Sequence, residues 1–351
     1  EIIEINNGTI ISARYLLNLK EKRAGCIFHN YTCDWNLDQR ILSNKCMKLA
    51  KFSYFVFFSF YSMSSFAEKS FFKDISNLLP DQKPRLSYGV AVTDFDNDGA
   101  DEFIVTGFGY ENLALGYDGN SLKNKIKENI FSDFNRSTIG VAACDIDKDG
   151  HEEIYFLNTD TYSGQKMYSD RLLKLVDKNI EDLFEKDINQ DELNLTAGRS
   201  VVCVDREGKG NYGIYVANYG GPTRFYEYIE DRVVDLAESL KLDEITGGRA
   251  VVAGHIISDQ MDIFAANERG PNFLYFNKEG KFLDVAGQMN VRDIYQNGRG
   301  TALSDILYRG RLDILNGNWG GYHRAYVYDE YKFKDIAVPS FDEPSRIRTV
   351  I

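Results

Sequence analysis

The chain has 351 residues, 43% hydrophobic and 27% charged, with 41 Lys and Arg against 53 Asp and Glu and a formal charge of −12. That length and apolar content suffice for a sizeable core. The acidic balance argues against nucleic acid or anionic membrane as partners and for the binding of cations.

Residues 1–46 show no initiating methionine, no repeat and no amphipathic period, and read as upstream, non-domain sequence. Residues 47–67 have the layout of a secretory signal peptide: a basic start at Met47-Lys48-Leu49-Ala50-Lys51, an apolar run from Phe52 to Met63, and small residues Ser65 and Ala67 before Glu68. The run is short for a membrane span; a buried strand pair or a signal anchor is the alternative. Cleavage after Ala67 leaves residues 68–351 as a secreted, extracellular domain with no membrane span. Three of the five cysteines fall before it, leaving Cys144 and Cys203.

The domain carries a repeated acidic loop. Asp94-Phe95-Asp96-Asn97-Asp98-Gly99-Ala100-Asp101-Glu102 recurs as Asp145-Ile146-Asp147-Lys148-Asp149-Gly150-His151-Glu152-Glu153. Alternate carboxylates on a tight turn point hard oxygen ligands at one centre, and the glycine permits the backbone reversal. An EF-hand is excluded, because the twelfth positions are Val105 and Phe156 and the runs that follow are β-branched and aromatic, as in strands. The expected Ca2+ ligands are Asp94, Asp96, Asp98, the Ala100 carbonyl and Glu102, and then Asp145, Asp147, Asp149, the His151 carbonyl and Glu153. A solvated acidic turn is the bland alternative.

The strand that enters each loop recurs with the acids worn away. Tyr88, Ile139, Arg199, Arg249 and Arg299 stand six residues before successive loop starts, spaced by 51, 60, 50 and 50 residues. A period near fifty with about four short strands per unit predicts an all-β fold, a β-propeller with calcium-binding loops between strands, of which about five blades are present. A segment like Phe-x-Asp-Ile closes most units: Phe72 to Ile75, Val233 to Leu236, Phe282 to Val285 and Phe333 to Ile336. At positions one, three, five and nine the third loop has Asp205, Glu207, Lys209 and Gly213, the fourth His255, Ile257, Asp259 and Ile263, and the fifth Asp305, Leu307, Arg309 and Asp313. A Lys or Arg in a ligand's place neutralises the remaining acids without a metal, so calcium is expected in the first two loops alone.

Cys144 and Cys203 lie one and two residues before adjacent loop starts. Neighbouring inner strands could bring them within bridging range, but that offset turns alternating side chains to opposite faces unless a bulge corrects it, so both the bridge and two free thiols stay open. The sequons at Asn135 and Asn194 lie in connections where glycan is tolerated. Arg199, Arg249, Arg299 and Arg348 share one repeat position, which would place them in a ring near the axis. An anion-binding funnel or pairing across blade interfaces are the two readings.

These loops and flanking strands resemble the FG-GAP and VCBS repeats of integrin-α-type β-propellers. More specifically, Ile139 to Asp147 with Glu153 to Thr159, Ala197 to Arg206, Asn267 to Leu274, and Gly317 to Arg324 resemble the cartilage acidic protein 1 family. The resemblance covers residues 68–351. It implies a secreted calcium-binding glycoprotein with a seven-bladed propeller followed by an ASPIC/UnbV domain. Arg346 to Ile351 restart the repeat frame, so the propeller reads as incomplete at the C-terminus. The function that follows is an extracellular matrix or cell-surface interaction module, with an extracellular protein or glycan as partner and no catalytic residues. A lectin-like module using Trp319, or a propeller enzyme acting on polysaccharide, is the alternative.

Overall fold

The computed structural model describes residues 3–6, 9–12, 74–79, 84–126, 129–177 and 179–350. The signal-peptide reading of 47–67 and the Phe72-Lys73 half of the first closing segment lie outside them. The chain divides into one unit of Glu1–Ala13 with Leu78–Ile351 and a second of Arg14–Asn77. In the first unit, β1 (Ile3–Asn6) and β2 (Thr9–Ser12) form an antiparallel pair.

Five four-stranded antiparallel meanders follow. The first blade is β3 (Val90–Thr93), β4 (Glu102–Val105), β5 (Leu113–Tyr117) and β6 (Leu122–Asn124). The second is β7 (Thr138–Cys144), β8 (Glu153–Asn158), β9 (Arg171–Val176) and β10 (Asn179–Asp182). The third is β11 (Gly198–Val204), β12 (Gly213–Pro222), β13 (Arg224–Ile229) and β14 (Arg232–Asp235). The fourth is β15 (Ile245–Gly254), β16 (Asp262–Asn267), β17 (Phe273–Lys278) and β18 (Lys281–Asp284). The fifth is β19 (Gly298–Ser304), β20 (Asp313–Asn318), β21 (Arg324–Asp329) and β22 (Lys332–Asp335). Each repeat is thus one blade, the third and fourth being joined from β12 to β15 into one eight-stranded sheet, and the fold is a β-propeller.

Blades cohere by stacking. One hydrophobic cluster joins the first blade to the second through Phe95, Ile104, Phe131 and Phe156. The next joins the second to the third through Tyr155, Leu157, Ile214 and Tyr226, and the pattern continues between the later blades. The second strands β8, β16 and β20 are covered on both faces and buried at every residue, whereas β4 in the first blade alternates and exposes Phe103.

The closing segments have a physical role. Asp182 Oδ1, at the end of β10, accepts from Leu172 N at 3.1 Å and Phe184 N at 3.0 Å. Asp235, Asp284 and Asp335 repeat this clasp, and Asn124 makes it in the first blade. The acid ties the outer strand to the chain that leaves it, satisfying two amides the ladder leaves free.

Cys144 and Cys203 form a disulfide with Cα atoms 6.2 Å apart, the bridge that strand alternation left open. β7 and β11 belong to different sheets, whose faces meet. Stacked blades bring one face of a strand against the opposite face of the equivalent strand in the next blade. The one-residue offset is therefore what lets the two thiols meet. Asn194 departs from expectation: it is 0% exposed, with its amide donating to Asp170 at 2.6 Å and Asn218 at 3.0 Å, and this fold leaves no room there for a glycan. Asn135 is exposed.

Candidate metal centres

Each acidic loop is the turn between the first two strands of its blade, β3 to β4 and β7 to β8. The second loop residue, Phe95 or Ile146, is buried in the inter-blade core and anchors the turn. Gly99 and Gly150 take φ of 88° and 86°, the left-handed region that a Cβ would strain. Asp94 accepts from Asp98 N at 3.0 Å and Gly99 N at 2.8 Å, and Asp145 accepts from Gly150 N at 3.0 Å, so the first acid folds the loop around itself.

Oxygens of Asp94, Asp96 and Glu102 lie within 4.8 Å of one another, as do those of Asp145, Asp147 and Glu153. Asp98 and Asp149 stand outside these groups, their side chains 48% and 40% exposed, and accept from Ala100 N and His151 N. Glu102 and Glu153 are the buried members, at 0% and 1% exposure. Among the described residues, Glu102 Oε2, Asp145 Oδ1 and Asp147 Oδ1 are buried without a hydrogen-bond donor. Buried acceptors left unpaired are costly, and a hard cation bound by oxygens relieves them. The donor sets therefore fit a calcium-type ion.

A residue the sequence reasoning passed over enters each cluster. In the second blade Lys174 Nζ lies 2.5 Å from Asp147, 2.7 Å from Asp149 and 2.9 Å from Glu153. In the first, Lys125 Nζ lies 2.6 Å from both Asp98 and Glu102 and 3.7 Å from Asp96. The two lysines come from different places. Lys174 is on β9, one residue past the partner of Ile154. The residue one past the partner of Phe103 on β5 is Gly116, and Lys125 reaches over it, so closely that a Cβ there would meet its Cε at 2.4 Å. Two sequence solutions thus deliver one ammonium to one location.

Burial pushes the Glu102 and Glu153 carboxyls above their ordinary range against the pull of the lysines. Lys125 is held above the usual lysine range by its hydrogen bonds to Asp98 and Glu102. Burial pulls Lys174 the other way, and its three carboxylates outweigh it.

The later loops meet the same electrostatic demand without acid clusters. In the third blade Gly213 stands where Glu153 does, and Arg206 pairs with Glu227, the counterpart of Lys174, with Nη2 at 3.0 Å from Oε2. In the fifth, Arg309 Nη2 lies 2.9 Å from Asp313. The fourth loop is one residue shorter than the sequence frame assumes, because Gly254 pairs with Asp262 where Cys144 pairs with Glu153. Asp262, not Ile263, fills the ninth place, and its oxygens accept from Ile257, Ser258 and Asn277 amides. His323 is also buried, with Nδ1 accepting from Asn318 N at 3.0 Å and Nε2 2.9 Å from Ser345 Oγ. Trp319 lies between the guanidinium groups of Arg299 and Arg348. No helix among the described residues is long and apolar enough to cross a membrane.

An FG-GAP-like repeat profile matches residues 72–156, the stretch that holds both acidic loops. The sequence is similar to the cartilage acidic protein 1 of Xenopus tropicalis, 43% identical over 297 residues that cover 76% of this chain and 46% of that protein. It is 42% identical to the Homo sapiens cartilage acidic protein 1 over 322 residues, 81% of this chain and 48% of that protein. The chain spans about half the length of the curated relatives it matches. The V. cholerae biofilm matrix protein Bap1 superposes with a TM-score of 0.44 at 15% identity, over 76% of this chain and 43% of that one. The strand order, not that likeness, carries the fold.

Proposed function

We propose that this chain, which belongs to the cartilage acidic protein 1 family, is a secreted calcium-binding β-propeller that serves as an extracellular interaction module rather than an enzyme. The observation that carries the reading is the pair of matched loops, each with three converging carboxylates, one of them a buried glutamate that carries or neighbours an unpaired acceptor oxygen. Calcium bound there would pin the first two blade turns, with Asp94, Asp96 and Glu102 as one ligand set and Asp145, Asp147 and Glu153 as the other. Asp98, Asp149 and the Ala100 and His151 carbonyls complete each shell with water toward the six to eight oxygens calcium prefers.

Such an ion must displace the lysine ammonium, which supports affinities in the weak range of extracellular modules, on the order of 10⁻⁴–10⁻³ M. The propeller faces, rigidified in this way, would present loops to an extracellular protein or glycan. Calorimetry on the chain tests the metal reading. Two ions are expected, with Asp94→Ala and Asp145→Ala each removing one and Asp305→Ala removing none. Zero or four ions, or two ions retained in either of the first two variants, would overturn it.

A further inference from the structure

Three arginines outside the metal loops share a feature the calcium reading does not use, and Arg348 extends their row. Arg199, Arg249 and Arg299 each occupy the extra residue of a β-bulge, between Gly198 and Ser200, Gly248 and Ala250, and Gly298 and Gly300. A bulge re-aims its side chain out of the normal alternation. The preceding glycines permit the close approach to the neighbouring blade, since a Cβ on Gly198 would meet Leu157 Cδ1 at 2.2 Å and one on Gly298 would meet Ala266 Cβ at 2.7 Å.

The re-aimed side chains form a continuous row. Tyr162 and Tyr219 lie under both Arg199 and Arg249, at 5.4 and 5.4 Å from Arg199 and 5.6 and 4.6 Å from Arg249. Glu268 binds Arg249 and lies 3.2 Å from Arg299. Trp319 then lies 4.9 Å from Arg299 and 5.2 Å from Arg348. Among the described residues, Glu268 is the one carboxylate paired with these four guanidinium groups.

Charge and hydrogen bonding are both left unbalanced. Arg199 is 9% exposed and donates only to neutral oxygens, those of Thr159, Gly198 and Tyr162. Its Nε and that of Arg299 are buried with no acceptor among the described residues. Burial, and then the charges of Arg249 and Arg299, hold the Arg199 guanidinium down to about 10. Like charges this close, with unused donors, ask for an anion. The row reaches solvent, because Tyr162 is 62% exposed and Arg348 is exposed.

We propose that the row of Arg199, Arg249, Arg299 and Arg348 is a binding site for a small tetrahedral oxyanion, a sulfate or phosphate group. Donors arriving from successive blades suit a group with three or more acceptor oxygens better than a carboxylate with two. The chain's charge of −12 repels a long polyanion before contact and favours a compact group.

The test is calorimetric titration of the calcium-free chain with sodium sulfate, with sodium acetate and sodium chloride at matched ionic strength as comparators. Sulfate should bind saturably at one site with Kd on the order of 1 mM, and acetate at least about tenfold more weakly. Arg299→Gln should weaken sulfate about tenfold, and Glu268→Gln, which removes the internal competing anion, should tighten it by a similar factor. A sulfated monosaccharide that binds as well as or better than the free ion identifies an ester as the source, and free sulfate alone identifies the ion. No saturable sulfate binding by the wild-type chain, or binding unchanged in both variants, would overturn the proposal. A Glu268→Gln chain that is less stable at every sulfate concentration by the same amount would show the row to be purely structural.

Discussion

The first two blades and the last three solve one problem by different means. The turn between the first two strands of a blade holds a carboxylate that must be satisfied where the chain folds back. In the first two blades the acids are kept and the offset comes from beyond the loop, through Lys125 and Lys174. In the third and fifth an arginine of the loop itself pairs with the facing acid, and in the fourth Asp262 is satisfied by backbone amides. A satisfied carboxylate is therefore common to every blade, whereas a cluster of three converging carboxylates is found, among the described residues, in two.

The largest effects should come from removing the built-in cation. Lys174→Met in EDTA leaves buried Glu153 beside Asp147 and Asp149 with no counter-charge and should cost about 3–5 kcal/mol. Millimolar calcium should restore most of that. Arg206→Met strands buried Glu227 in the third blade at a comparable cost, and calcium should restore none of it. Chemical denaturation of both variants with and without calcium measures this contrast; equal rescue would erase the distinction between the two groups of blades.

The disulfide joins the two kinds of blade, so it shows whether they are coupled. Replacing both Cys144 and Cys203 by Ser should lower stability by about 2–4 kcal/mol. The loss should be the same with and without calcium, because the disulfide ties β7 to β11 and neither cysteine is among the converging carboxylates. A calcium-dependent loss in the same denaturation experiment would mean that the ion holds the joint as well as the turns.

What could be foreseen of this arrangement depended on how far apart in the chain its parts lie. The carboxylates of a loop are contiguous and the repeat frame is regular, so the propeller and both acid clusters could be read directly. The lysines could not, because Lys125 and Lys174 occupy different repeat positions and reach the same point over different neighbours. Asp262 was hidden by a loop one residue short of the frame. The disulfide could not be decided from alternation within one sheet, because the geometry that matters is the stacking of two.

A smaller effect concerns calcium affinity itself. If Lys174 competes with the ion, Lys174→Met should bind calcium at the second site about tenfold more tightly, or about 1.4 kcal/mol, with the first site unchanged. The smallest concerns pH. Burial lowers the pKa of His323 in the fifth blade, against the nearby Asp342, and protonation would turn the acceptor Nδ1 into a donor facing the Asn318 amide. With the folded value depressed, the stabilisation is complete above the ordinary histidine value near 6.5. It is lost as pH falls through the folded value. A stability profile between pH 7.5 and 5 should show this loss, and His323→Asn should flatten it without altering calcium binding.

Crystals of the chain grown in calcium test the central claim most directly, through the anomalous signal of the ion. Two peaks are expected, one among Asp94, Asp96 and Glu102 and one among Asp145, Asp147 and Glu153, with the Lys125 and Lys174 ammonium groups swung out of both clusters. Lysines still seated among the carboxylates with no anomalous peak beside them at saturating calcium would contradict it.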